Sequence, residues 1–110
     1  MNADDIMKEM KRYPRIVCAD GFEFSAQANS TAYCSPRTGS ADRYTEVEVG
    51  FPTAEEPMLM EFAENKEKPT DTVYPYVPVK VVTTLIAKHG GMVSDGDIPP
   101  GIIPLRASAR

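Results

Sequence analysis

The stretch 29–43, NSTAYCSPRTGSADR, concentrates groups that can hold an anion. Phosphate or carboxylate recognition calls for guanidinium forks, hydroxyls and backbone donors in one place. Arg37 and Arg43 supply the forks here, and Ser35, Thr38 and Ser40 supply the hydroxyls. Tyr33 lies in the same stretch, and Tyr44, Tyr74 and Tyr76 are further rings on which a flat base can stack. A plainer reading stands beside this one: Ser35-Pro36-Arg37 forms a turn and the tyrosines pack against a sheet. Cys34 neighbours Arg37, a cation that favours a thiolate, although one neighbour is a weak signal.

Catalytic patterns are missing. A nucleophile–base pair needs a base oriented by a third group, and His89 is the one histidine. It follows a helix-like run, where the dipole favours its charged form, so a satisfied histidine at a helix end is the expected role. No glycine loop of the phosphate-cradling type is present, and Gly39 stands alone in its stretch. Two distant cysteines and one histidine give no zinc-ligand spacing, so neither a metal nor a cofactor is expected. Glu55-Glu56 and Glu46/Glu48 read as solubilising carboxylates rather than acid–base pairs. The chain is therefore expected to bind rather than catalyse.

These groups need elements to place them. Residues 3–12 read as a short amphipathic helix, capped by Asn2, with Ile6, Met10 and Tyr13 on one stripe. Residues 15–28 read as a hairpin around Asp20-Gly21, a turn in which both residues take positive φ. Phe22, Phe24, Ala26 and Ala28 share one face, opposite Glu23, Ser25 and Gln27. Residues 44–51 alternate again, with Thr45, Val47, Val49 and Phe51 opposite Tyr44, Glu46 and Glu48. Thr53 and Glu56 match a capping box for a helical turn or two over 53–65. The Met58-Leu59-Met60 run there reads as a lid over the core or, less favoured, as an adaptable contact surface. Residues 73–77 run extended, and Pro75 confines them to an edge or a strand end. Pro78 opens a helix over 78–89, with Val81, Val82, Leu85 and Ile86 on its core stripe and Gly90-Gly91 ending it. The tail, 92–110, is too rich in proline for a helix, and its apolar residues are expected to dock on the domain or on a second copy. The predicted fold is α+β: an antiparallel sheet of three to five strands, with helix 78–89 packed on one face and the short N-terminal helix at the edge.

With 110 residues and 42% apolar side chains, the sequence is expected to form one domain with one core. A net charge of −4 disfavours duplex nucleic acid as a partner. Acidic residues gather between Glu46 and Glu67, which a solvated face explains better than mimicry of DNA. The opening residues are charged rather than apolar, and nothing is long enough to cross a membrane. A reducing cytoplasm with two free thiols, Cys18 and Cys34, is expected.

Several segments together, DGFEFSAQA (20–28), YCSPR (33–37), YTEVEVGFP (44–52), PTDTVYPYVPVKVV (69–82) and IAKHGG (86–91), resemble small proteins encoded by bacteriophages and prophages. The likeness spans most of the chain and implies a protein that counters host immunity; with the arginine-bearing loop and the missing catalytic groups, a non-enzymatic binding protein is expected. Two modes are familiar in that group: capture of a nucleotide signal, as in anti-Thoeris sponges, and blockade of a defence complex, as in anti-CRISPR proteins. For capture of a small anionic ligand, the residues expected to act are Tyr33, Ser35, Arg37, Thr38, Arg43 and Tyr76, with Arg106 arriving from a neighbouring subunit. For a host defence protein as partner, they are the acidic Glu46 and Glu48 with the ridge of Met58 and Met60. A structural or regulatory protein, oligomeric through its tail, is the third expectation.

Overall fold

A computed structural model describes residues 2–108, so the terminal Arg110, read above as part of a basic end, lies outside the described residues. The elements in chain order are helix α1 (Ala3–Glu9), strands β1 (Ile16–Val17), β2 (Glu23–Gln27) and β3 (Glu46–Gly50), a 3-10 turn (Met60–Phe62), strand β4 (Val73–Pro78) and helix α2 (Val79–Lys88). The four strands form one antiparallel sheet in the order β1-β2-β3-β4. The fold is α+β, as the alternation and the helical stripe predict. Among the described residues no helix is long and apolar enough to cross a membrane.

Phe24, Ala26, Val47, Val49, Tyr74 and Val77 from the sheet meet Val82, Leu85 and Ile86 from α2 in one buried cluster. Each large aliphatic side chain so placed contributes roughly 1.5–3 kcal/mol of transfer free energy. Val81, expected on the same stripe, is only half-buried. After α2 the chain turns at Gly90 and Gly91, both at positive φ, and the Gly91 N–H reaches back to the Ile86 carbonyl at 2.9 Å.

Four local expectations give way to tertiary contacts. The β1–β2 turn needs positive φ at Gly21 alone (φ 94°). Cys18 accepts from the Gly21 N–H at 3.0 Å and donates to Phe22 O at 2.9 Å, which makes a three-residue loop rather than a two-residue one. Helix α1 stops at Glu9, short of residue 12, and buries none of its residues; Ile6, Met7 and Met10 stay exposed. It is fastened by polar contacts at its end, where Ser30 donates from N and Oγ to Glu9 O at 2.9 and 2.8 Å. The helix expected over 53–65 shrinks to the 3-10 turn because both capping-box residues are taken elsewhere. Thr53 Oγ1 accepts from the Glu23 N–H at 3.0 Å, and Glu56 turns towards α2. Tyr44, expected on the wet face, is buried at 1% exposure with its hydroxyl on the Thr38 carbonyl at 2.5 Å. Thr45 and Phe51, expected on the inner face, are exposed, because β3 spans only Glu46–Gly50 and the alternation ends with it.

The tail docks on its own chain. Met92 bridges to Cys18 and to Arg106, and the Val93 N–H donates to Val17 O at 2.8 Å. The short outer strand β1 is thereby covered on its free side, which blunts an edge open to unwanted pairing.

Candidate functional site

Loop 29–43 lies across the sheet face that strand alternation marks as wet. Asn29 is buried and shapes the loop's start: its Oδ1 accepts from Thr31 N, Thr31 Oγ1 and Ala32 N at 2.8–2.9 Å. The loop also feeds the core, since Ala32 and Cys34 are buried. Tyr33 is then held by its backbone on both sides. Its N–H donates to Glu48 Oε1 at 3.1 Å, and its carbonyl accepts from the Tyr76 N–H at 3.1 Å.

That second bond depends on an irregularity in β4. The pairing jumps from Val47↔Val77 to Val49↔Tyr74, so β4 carries an extra residue around Pro75 and Tyr76. Pro75 has no N–H to give the ladder, and a bulge is where a strand tolerates it. Tyr76 takes φ 53°, a left-handed conformation that is uncommon for a large side chain. The bulge releases the Tyr76 N–H from the sheet and offers it to Tyr33.

The result is an exposed aromatic platform. Tyr33 and Tyr76 are 40% and 41% exposed, with ring centroids 6.0 Å apart and planes tilted by 51°. The Arg37 guanidinium sits 5.3 Å from the centre of the Tyr33 ring while donating to the Thr31 carbonyl at 3.1 Å. Tilted rings and a cation over a ring face are both favourable arrangements of the ring quadrupole. Of the expected ligand residues, the structure therefore brings Tyr33, Arg37 and Tyr76 together. Arg43 is exposed, and no hydrogen bond or ion pair engages its side chain among the described residues.

The other expected residues are occupied within the chain. Ser35 Oγ donates to Glu46 Oε1 at 2.7 Å, and Thr38 Oγ1 donates to Glu9 Oε1 at 2.8 Å. Arg106 is tied to Asp95 Oδ1 at 2.8 Å and to the Ser94 carbonyl, contacts made inside its own tail. Tyr74, like Tyr44, is fully buried, and its hydroxyl reaches the Pro69 carbonyl at 2.6 Å, so neither can stack on a ligand. Glu46 and Glu48 do not form a free acidic face, because loop donors lie on both carboxylates. Met58 packs against the core as a lid would, and Met60 is half-buried at the 3-10 turn. Burial pushes the Cys34 thiol upward, with the Asn29 carbonyl and the Arg37 charge acting against it to a smaller extent, so Cys34 is a packed thiol. Burial raises Cys18 to about 11.

A second polar cluster was not legible in the sequence. His89, at the end of α2, has Nδ1 2.6 Å from Asp20 Oδ2 and Nε2 2.7 Å from Glu56 Oε2. Glu56 is buried at 2% exposure and also takes Lys88 Nζ at 2.6 Å and the Met58 N–H at 3.2 Å. The His89 ring stacks on Phe22 at 4.0 Å between centroids and 13° between planes. Burial by itself lowers the His89 pKa, but the bonds to Glu56 and Asp20, with their charges, outweigh it and raise the pKa above its ordinary 6.5. Burial likewise works to raise Glu56, and the bonds from Lys88 and His89 bring it below its usual value. Asp20 is lowered first by the Phe22 N–H and then by His89. Both ring nitrogens are filled by carboxylates, so the imidazole has no free nitrogen for proton abstraction. Among the described residues no group of three or more metal-ligating side chains converges.

Compared with protein-family models, with curated proteins and with solved structures, the chain matches none of them.

Proposed function

We propose that this protein is a non-enzymatic binding protein whose recognition surface is the Tyr33–Arg37–Tyr76 platform. One observation carries the reading: two rings are held out to solvent by separate backbone devices, and a guanidinium lies over one of them. A strained φ at Tyr76 costs on the order of 1–3 kcal/mol, which the fold tolerates where a side chain has to be displayed. The ligand such a surface suits is flat and anionic, that is, nucleotide-like. A base stacks on Tyr33 or Tyr76, and Arg37 and Arg43 hold phosphate. Ser35 and Thr38 act by fixing the loop, because their hydroxyls are already used. In the setting implied by the phage-like segments, sequestering such a signal antagonises host immunity.

The test is thermal melting of the protein against a panel of nucleotides and cyclic nucleotides, with Arg37→Ala alongside. A ligand of the folded state raises the melting temperature by mass action. The expected outcome is a shift with one compound and a loss of roughly 1.5–3 kcal/mol of affinity in the variant, the usual value of a charged hydrogen bond. An unchanged affinity in Arg37→Ala removes this loop from the site, and a flat panel sinks nucleotide capture.

A protein partner is the second reading, favoured by the residue types themselves. Exposed tyrosine and arginine are the side chains enriched at the energetic centres of protein interfaces. The contact would then centre on the platform instead of the acidic strand face, whose carboxylates are engaged with the loop.

A further inference from the structure

We propose that Asp20, His89 and Glu56 form a proton-operated latch, in which the doubly protonated His89 ring ties the β1–β2 turn to loop 51–59, and loss of its proton frees the Asp20 side.

The geometry requires two N–H donors. Each ring nitrogen lies 2.6–2.7 Å from a carboxylate oxygen. A neutral imidazole has one N–H, and its other nitrogen is an acceptor that would face oxygen lone pairs. The arrangement is therefore that of an imidazolium. Three further side-chain groups bear on the ring: Asp20 from the turn, Glu56 from loop 51–59 and Lys88 from α2. Two cations then balance two carboxylates. Cys18, near Asp20, adds no charge, because burial keeps its thiol protonated. Once the ring loses its proton, one ammonium faces two carboxylates and one of the two ring bonds has to go.

Burial decides which. The Glu56 side chain is 3% exposed, so water cannot replace a donor there, whereas the Asp20 side chain is 51% exposed and can be solvated. The neutral ring accordingly keeps its proton on Nε2, towards Glu56, and Asp20 turns to water. Asp20 also holds the turn, accepting from the Phe22 N–H at 2.9 Å. It lines an open depression of about 290 Å³ together with Gly21, Phe22, Thr53, Ala54 and His89. Release of Asp20 loosens the rim of that depression. The latch is closed at low pH and opens as pH rises through the folded-state value of His89, which lies above 6.5.

The experiment is nitrogen-resolved NMR of the His89 ring and of backbone amides in the full chain, titrated from about pH 5, the acid end of the usual histidine range, to about pH 9. Both ring nitrogens should be protonated at the acid end, with the Nε2–H tautomer appearing above the transition. The Phe22 amide should follow with the same midpoint, its hydrogen exchange rising about tenfold after correction for intrinsic rates, as befits loss of one charge-assisted bond. Asp20→Ala, which removes both the carboxylate at Nδ1 and the acceptor for the Phe22 N–H, should lower the midpoint and show the fast Phe22 exchange at every pH. Titration at or below the ordinary histidine value, an Nδ1–H tautomer, or turn amides indifferent to the ring would each overturn the latch. The wild-type titration decides the matter even if the variant fails to fold.

Discussion

The aromatic platform and the histidine cluster both assemble from segments far apart in sequence, yet they spend their polar groups in opposite ways. At the platform the backbone is clamped and the side chains are left out: Tyr33 is fixed through its N–H and carbonyl while its ring stays exposed. At the cluster the side chains are the clamp, since every nitrogen and oxygen of His89 and Glu56 faces a partner. At the cluster satisfied valences make structure; at the platform Tyr76 carries backbone strain and both rings stay open to solvent. From sequence alone, His89 is expected as a satisfied histidine at a helix end and Glu56 as a solubilising carboxylate; the structure instead buries Glu56 and joins the two.

The contrast breaks first if the cluster proves dispensable. Glu56→Ala is expected to cost about 3 kcal/mol, the lower range for removing one partner of a buried charge pair, because Lys88 is half-exposed and can be rehydrated. Urea unfolding should register it, and ligand affinity at the platform should not change. A loss under about 1 kcal/mol would make the cluster an ornament of the surface.

The pH dependence sharpens the same point with a smaller effect. His89 is raised in the folded state, so its contribution is complete below the unfolded value of about 6.5 and is lost as pH rises through the folded one. Asp20 and Glu56 are lowered, so theirs is present above the unfolded carboxylate range and lost as pH falls through their folded values. Stability should therefore peak between these two transitions. In His89→Gln the alkaline limb should flatten. A wild-type profile without that limb would mean that the ring is neutral throughout.

The smallest expected change lies at the platform. Asparagine accepts left-handed φ more readily than tyrosine, so Tyr76→Asn should recover part of the strain and raise stability slightly, by up to about 1 kcal/mol. Ligand affinity should fall by roughly 1–3 kcal/mol, the value of a stacked base. If stability instead collapses, the ring is a structural prop for Tyr33.

The sequence by itself determined the class of fold. Alternation at 22–28 and 44–51 and the helical stripe at 82–86 each report which side of a local element meets the core, and that information repeats every two or every 3.6 residues. It also named Tyr33, Arg37 and Tyr76, by residue type, as groups able to bind. Tertiary structure alone decided which of the named residues were free. Ser35, Thr38, Glu46 and Glu48 have the right chemistry, but partners from other segments claim them, and Arg106 is held by Asp95 within the tail. Thr53 and Glu56 spell a capping box, yet Glu23 and His89 outbid the local helix, since a buried carboxylate gains more from a charged donor than a short helix gains from its cap. The β4 bulge and the Asp20–His89–Glu56 cluster join residues whose separation in the chain carries no period. Hydrogen-bond valence is settled in three dimensions, and a one-dimensional pattern records only the part of it that neighbours share.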